Sequence, residues 1–277
     1  MSQRDRPAGA RARVTSRATN NLEREGNTLK TSLLKMLFAV AALAAFAPAQ
    51  AQWTGKAELG VLSTTGNTES KAANTKLDLV HEGTKWRNTV GFAALYSEGE
   101  EFATAERYEA KYQADYKITD RLSWFGSLRG EEDRFSAFAY QATLSTGASY
   151  KFIDSPATQL TGSLGAGYRR SQPQELIKSD AGEVIDRIKG EAENEPVVTL
   201  SSNYEHNFND VTKITNKFLA ESGSDNTAVQ NDIALSVNMT KAFALAVGFG
   251  VRYNSDPPPL AESTDTLTTI NLVYTLK

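Results

Sequence analysis

Arg107-Tyr108-Glu109-Ala110-Lys111-Tyr112-Gln113-Ala114-Asp115-Tyr116-Lys117-Ile118 alternates without a break. Tyr108, Ala110, Tyr112, Ala114, Tyr116 and Ile118 fall on one side, and Arg107, Glu109, Lys111, Gln113, Asp115 and Lys117 on the other. A period of two is that of a β-strand with one apolar and one polar face. Outward from this stretch the same pattern recurs, giving about twelve strand-like segments between Trp53 and the C-terminus. In the sixth, Tyr140, Ala142, Leu144, Ala148, Tyr150 and Phe152 oppose Gln141, Thr143, Ser145, Ser149 and Lys151. In the eleventh, Phe243, Leu245, Val247, Phe249, Val251 and Tyr253 oppose Ala244, Ala246, Gly248, Gly250 and Arg252. The ninth, Val211 to Ala220, carries the weakest pattern.

The connections add independent information. Those after even-numbered segments are short, such as Thr119 to Arg121, Asn209-Asp210 and Thr240-Lys241. Those after odd-numbered segments are mostly longer and charged or rich in Pro and Gly, the longest reading as a loop from Arg169 to Pro196. Short turns on one rim and long loops on the other are the habit of outer-membrane barrels. The expected fold is all-β: a membrane-spanning, antiparallel up-and-down barrel of about twelve strands, with both termini on the periplasmic side. A soluble sandwich with its apolar face inward shows the same alternation. Three features weigh against it: the amount of one-faced apolar surface, the small and hydroxyl residues on the polar face, and aromatics such as Trp53, Trp86, Trp124 and Tyr253 near strand ends.

The chain before Trp53 reads as an export signal. Residues 36–47, MLFAVAALAAFA, form an apolar run preceded by Lys30 and Lys35 and followed by Ala49-Gln50-Ala51. The run is shorter than the roughly 20 residues that cross a bilayer, and its flanks fit a signal peptide over 29–51, cleaved after Ala51. Residues 1–28 are basic and aperiodic; they read as a disordered extension or a mis-assigned start, with translation beginning at Leu29. The mature chain is then 52–277. Taking the eight Lys/Arg and three Asp/Glu of residues 1–51 from the totals of 30 and 33 leaves 22 and 30, a formal net charge of −8. Such acidity argues against nucleic acid as a partner. The chain has no cysteine, so thiolate chemistry and disulfides are excluded.

Chemistry-bearing clusters are few. An acyl hydrolase needs a nucleophile, a histidine and an orienting group converging on one face. The two histidines, His81 and His206, share parity with apolar residues, and no Ser or Asn pairs clearly with either. Asp180, Glu183 and Asp186 match no calcium-loop spacing. No catalytic, cofactor or metal site is expected. The polar-face charges are the candidate lumen lining: Arg107, Glu109, Lys111, Asp115, Lys117, Arg129, Glu131, Arg169, Lys213, Lys217 and Asp232. They suit a selectivity-setting pore or an interior plugged by salt bridges.

Thr65-Gly66-Asn67-Thr68-Glu69 after the first strand resembles the Gly-Asn-Thr-acidic motif of the salt-induced outer membrane proteins, domain-of-unknown-function family 481. Lys85-Trp86, the Tyr-rich fourth strand, Asp133-Arg134-Phe135 and Gly147-Ala148-Ser149-Tyr150-Lys151-Phe152 carry the same resemblance. It implies a Gram-negative outer-membrane barrel, and the family has no established biochemical activity. Gly66, Asn67 and Thr68 are singled out through the resemblance; the residues alone read as a turn. The chain departs from the usual aromatic C-terminus of such strands by ending Tyr274-Thr275-Leu276-Lys277. The functions expected are a narrow channel for small polar solutes or, alternatively, a closed structural or envelope-stress barrel acting through its loops. A lipid-acting enzyme ranks last. The expected partners are outer-membrane lipid, the barrel-assembly machinery during biogenesis, and small solutes.

Overall fold

The structure, a computed structural model, describes residues 53–64, 70–99, 103–136, 138–179, 184–257 and 263–276. The segments expected to be an N-terminal extension and an export signal, and Gly66, Asn67 and Thr68, lie outside them. Among the described residues every regular element is a strand: β1 (Trp53–Thr64), β2 (Ser70–Glu82), β3 (Trp86–Glu98), β4 (Ala103–Lys117), β5 (Leu122–Asp133), β6 (Phe138–Asp154), β7 (Thr158–Lys178), β8 (Val184–Lys189), β9 (Glu193–Asn207), β10 (Thr212–Ser222), β11 (Thr227–Asn238), β12 (Phe243–Asn254) and β13 (Thr264–Leu276).

Twelve of them close into an antiparallel ring. Each pairs with the next, β7 pairs with β9, and β13 returns to β1 through Gly55↔Leu276 to Gly60↔Asn271. Closure leaves no sheet edge, which a strand structure in lipid requires. β8 pairs with β7 alone, from Gln174↔Lys189 to Lys178↔Val184, so it forms a hairpin beyond the ring. This corrects the sequence expectation of one long loop from Arg169 to Pro196: β7 continues to Lys178 and β9 starts at Glu193.

The short turns share one chemistry. Thr119, Ser155, Asn209 and Thr240 each stand at the start of a turn, and each side-chain oxygen accepts a hydrogen bond from the backbone N–H three residues on, at 2.8–3.0 Å. Short polar side chains make such turns because they mimic a backbone carbonyl. These turns and both chain ends of the ring meet at one rim, where Trp86 packs edge-on to Tyr116 and Phe243 lies against Tyr274.

Pairing fixes the two faces. Leu144 is 63% exposed while its neighbour Ser145 is 7% exposed, and the same alternation runs around the ring. The outward side carries Leu59, Val61, Leu128, Leu164, Leu200, Leu235, Val247 and Ile270, all exposed. An apolar belt this continuous is incompatible with water and matches the hydrocarbon of a bilayer. Leu144→Arg is therefore expected to destabilise the barrel by about 2–4 kcal/mol in lipid, as charges do near the midplane. Leu144→Phe is expected to be tolerated. Urea titration of both variants in vesicles reads the difference.

Inside, the ring is filled unevenly. On the β5–β7–β9 side, hydroxyls pair across strands, Ser127 with Ser145 at 2.8 Å and Ser149 with Ser163 at 2.7 Å. Phe125 points inward there and is buried. It lies over Gly165, where any side chain would collide with its ring.

Candidate functional site

All eleven charges singled out in the sequence share the parity of the inward face. Cross-strand partners sit on the same side of a sheet, so the register shows this directly: Lys111 faces Arg129, Arg129 faces Thr143, Thr143 faces Arg169, and Lys217 faces Asp232.

Contacts between strands that are not neighbours show how these side chains meet across the interior. Nearest the short-turn rim, Glu205 of β9 receives Lys213 at 3.3 Å and Lys56 of β1 at 3.8 Å. Asp115 is buried nearby and accepts from Gln113 at 2.9 Å, while Lys117 pairs with Glu82. At mid-height, Asp78 of β2 accepts from Lys217 of β10 at 2.6 Å, with Lys111 3.8 Å away. β2 and β10 stand nearly opposite in the ring, so this pair crosses the lumen.

Above it, Arg129 is surrounded by carboxylates. It donates to Glu109 at 3.2 Å, to Glu221 of β10 at 3.2 Å and to Glu131. Gln230 of β11 donates to Glu131 at 3.4 Å from across the interior. Arg107 pairs with Asp133 at 2.5 Å and Glu131 at 3.4 Å. Asp232 pairs with Arg252 at 3.2 Å. At the long-loop rim Arg169 is fully buried and bound to Glu195 at 2.6 Å. Gln174 donates there to the carbonyls of Asp133 and Ser136, both at 3.0 Å, tying the β7–β8 hairpin to the β5–β6 connection.

Several partners were not singled out in the sequence: Lys56, Asp78, Asp133, Glu195, Glu205, Glu221 and Arg252. Parity alone could have found Glu221, which stands four residues from Lys217 on one strand. Asp133 read as part of a charged loop, because the sequence pattern of the fifth segment fades before Gly130.

The ion pairs do not fill the lumen: several of their members line a cavity of about 200 Å³. Its floor of small residues is Ala234, Ala246, Gly248, Gly250 and Thr269 on β11, β12 and β13. Its charged wall carries five cations, Lys76, Lys111, Arg129, Lys217 and Arg252, and four anions, Glu58, Asp78, Glu109 and Asp232.

The histidines face outward at the short-turn rim. His81 packs against Trp53 with ring centroids 5.2 Å apart and the planes tilted by 46°. His206 has a partner the sequence reading did not find, the Thr158 hydroxyl, 2.8 Å from Nδ1. Among the described residues no carboxylate or amide is hydrogen-bonded to either ring, so the third member of a hydrolytic triad is not brought to them. Asp186 accepts from the Arg187 backbone N–H at 2.8 Å on β8, whereas Asp180 and Glu183 lie outside the described residues. Among the described residues no group of acidic and histidine side chains is gathered as a metal would need.

Comparison with known proteins sets this architecture among others. The chain is 27% identical over 234 residues to the uncharacterized protein YdiY of Escherichia coli (strain K12), an alignment covering 83% of this chain and 86% of that protein. Among solved structures, the NanC porin is 10% identical, with 80% of this chain and 100% of that one covered and a TM-score of 0.46. The translocator domain of the autotransporter NalP from Neisseria meningitidis is 8% identical, covering 90% and 97%, with a TM-score of 0.42. The KdgM porin is 12% identical, covering 81% and 99%, with a TM-score of 0.40. The profile of the DUF481 family, proteins of unknown function, matches residues 57–276, nearly the whole ring, and the chain belongs to that family.

Proposed function

We propose that this protein is a non-enzymatic outer-membrane barrel that serves as a narrow channel for small polar solutes. The observation that carries this reading is the cavity beside the ion pairs. A barrel needed only as a plug would fill its interior, as the β5–β7–β9 side does with Phe125 and paired hydroxyls. The opposite side keeps open volume lined by nine charged groups, the kind of lining that sets selectivity in a pore. The apolar belt supports the place in lipid. The gathering of short turns and both ring ends at one rim supports periplasmic termini, since outer-membrane barrels keep their short turns on that side.

Single-channel recording on refolded residues 52–277 tests the reading. Small discrete steps are expected. The double variant Asp78→Ala/Lys217→Ala removes the mid-height crossing and its steps are expected to be severalfold larger; Lys111, which then loses its Asp78 partner, stays as a cation in the widened lumen. Silence in both proteins, with folding intact, would remove the channel. The second reading, a closed barrel acting through its loops, is favoured by the tied long-loop rim around Arg169 and Gln174. Its expected result is no conductance and a binding partner that is lost when the β7–β8 hairpin is deleted.

A further inference from the structure

The charges around the cavity are not all committed to one another. Asp78 is engaged by Lys217 and Lys111, Glu109 by Arg129, and Asp232 by Arg252. Glu58 and Lys76 are the exceptions. They face each other directly in the β1–β2 register and both line the cavity. Among the described residues neither belongs to an ion pair. The Glu58 carboxylate accepts from the Asn271 amide at 3.0 Å, and Asn271 is itself positioned by Asn74 at 3.1 Å. One carboxylate and one ammonium thus stand side by side at the wall, each with capacity left. A solute carrying a single charge would pair with one and be repelled by the other. A solute carrying both would pair with both.

We propose that this lateral cavity is a holding site for small zwitterions, with Glu58 receiving the solute's cationic group and Lys76 its anionic group. The inference deepens the channel reading by naming its solute class. The volume sets the size limit. At about 200 Å³ the cavity lies below the roughly 300–1,000 Å³ of sites for drug-sized ligands, which leaves molecules of amino-acid size. The floor keeps this volume free because Ala and Gly send nothing into it.

The chain's lack of cysteine makes accessibility a clean test. A Cβ at Gly248 would meet only the Thr269 hydroxyl closely, at 2.7 Å, and that side chain can rotate away. Gly248→Cys is compared with Ser145→Cys on the filled side, both folded in vesicles and treated with a small charged thiol reagent. Ala234→Cys replaces the first variant if it does not fold. The cavity thiol is expected to react far faster than the Ser145→Cys thiol. Free glycine should slow it by the factor 1 + [glycine]/Kd, about fivefold at about four times its Kd. Acetate and methylammonium at the same concentration should slow it little, and Glu58→Gln or Lys76→Gln should abolish the protection. Equal, slow labelling at both positions would overturn the open cavity. Protection by acetate or methylammonium as strong as that by glycine would overturn the zwitterion class. Labelling needs no ion flow, so a protein that is silent in bilayers yet protected by glycine would lose the channel reading and keep the site.

Discussion

Arg129→Ala is expected to lower the stability of the folded barrel by about 3–5 kcal/mol, the usual result of removing one partner from a buried ionic cluster. Arg129 is buried and holds Glu109, Glu131 and Glu221 together. Without it, carboxylates from β4, β5 and β10 face one another, with Arg107 and Gln230 each 3.4 Å from Glu131 and Thr143 3.4 Å from Glu221. Converting those three to Gln in the Arg129→Ala background should recover much of the loss, because the like charges are then gone. Urea titration in vesicles reads both. The outcome also bears on the state of the lumen. A loss below about 1 kcal/mol is what solvent-exposed pairs show, and it would mean that water already screens this level of the barrel.

The sequence was most legible where one physical rule acted alone. Alternation from Arg107 to Ile118 needs only the two-residue period of a strand, and β4 carries it as far as Lys117. The turn residues Thr119, Asn209 and Thr240 were equally plain, since their chemistry is local. Legibility failed where the deciding contact was distant. Asp78 and Lys217 are 139 residues apart, and they meet because closure of the ring stands β2 nearly opposite β10. No local pattern carries that information. Phe125 was missed for a related reason. An inward aromatic breaks the apolar-outward rule of its strand, and its place is set by Gly147 and Gly165 on β6 and β7. The β8 hairpin was missed because its charges and glycines resemble those of a loop, although β7 continues straight into it.

Arg169→Met is expected to have an effect as large as that at Arg129 but to act at the rim. Arg169 Nε and Nη2 donate to Glu195 at 3.0 and 2.6 Å, and Nη2 also reaches the Asn226 carbonyl at 2.6 Å. Glu195 in turn accepts from the Asp225 backbone N–H at 3.2 Å. One guanidinium therefore holds β7, β9 and the β10–β11 connection together. Its loss leaves the Glu195 carboxylate buried without a counter-charge, which costs about 3–5 kcal/mol in such settings. The double variant Arg169→Met/Glu195→Leu removes both charges, and replacement of a buried pair by apolar side chains is often neutral in stability. The two variants separate stability from closure. If the pair serves only to hold the fold, the double variant should match the parent in urea and in resistance to protease at Ser224-Asp225. If it also fastens the rim, the double variant should regain stability while its β10–β11 connection becomes cleavable, because no apolar replacement can hold the Asn226 carbonyl or the Asp225 N–H. A fastened rim makes the second result the expected one, and larger conductance steps in that variant would place the outer constriction of the lumen at Arg169.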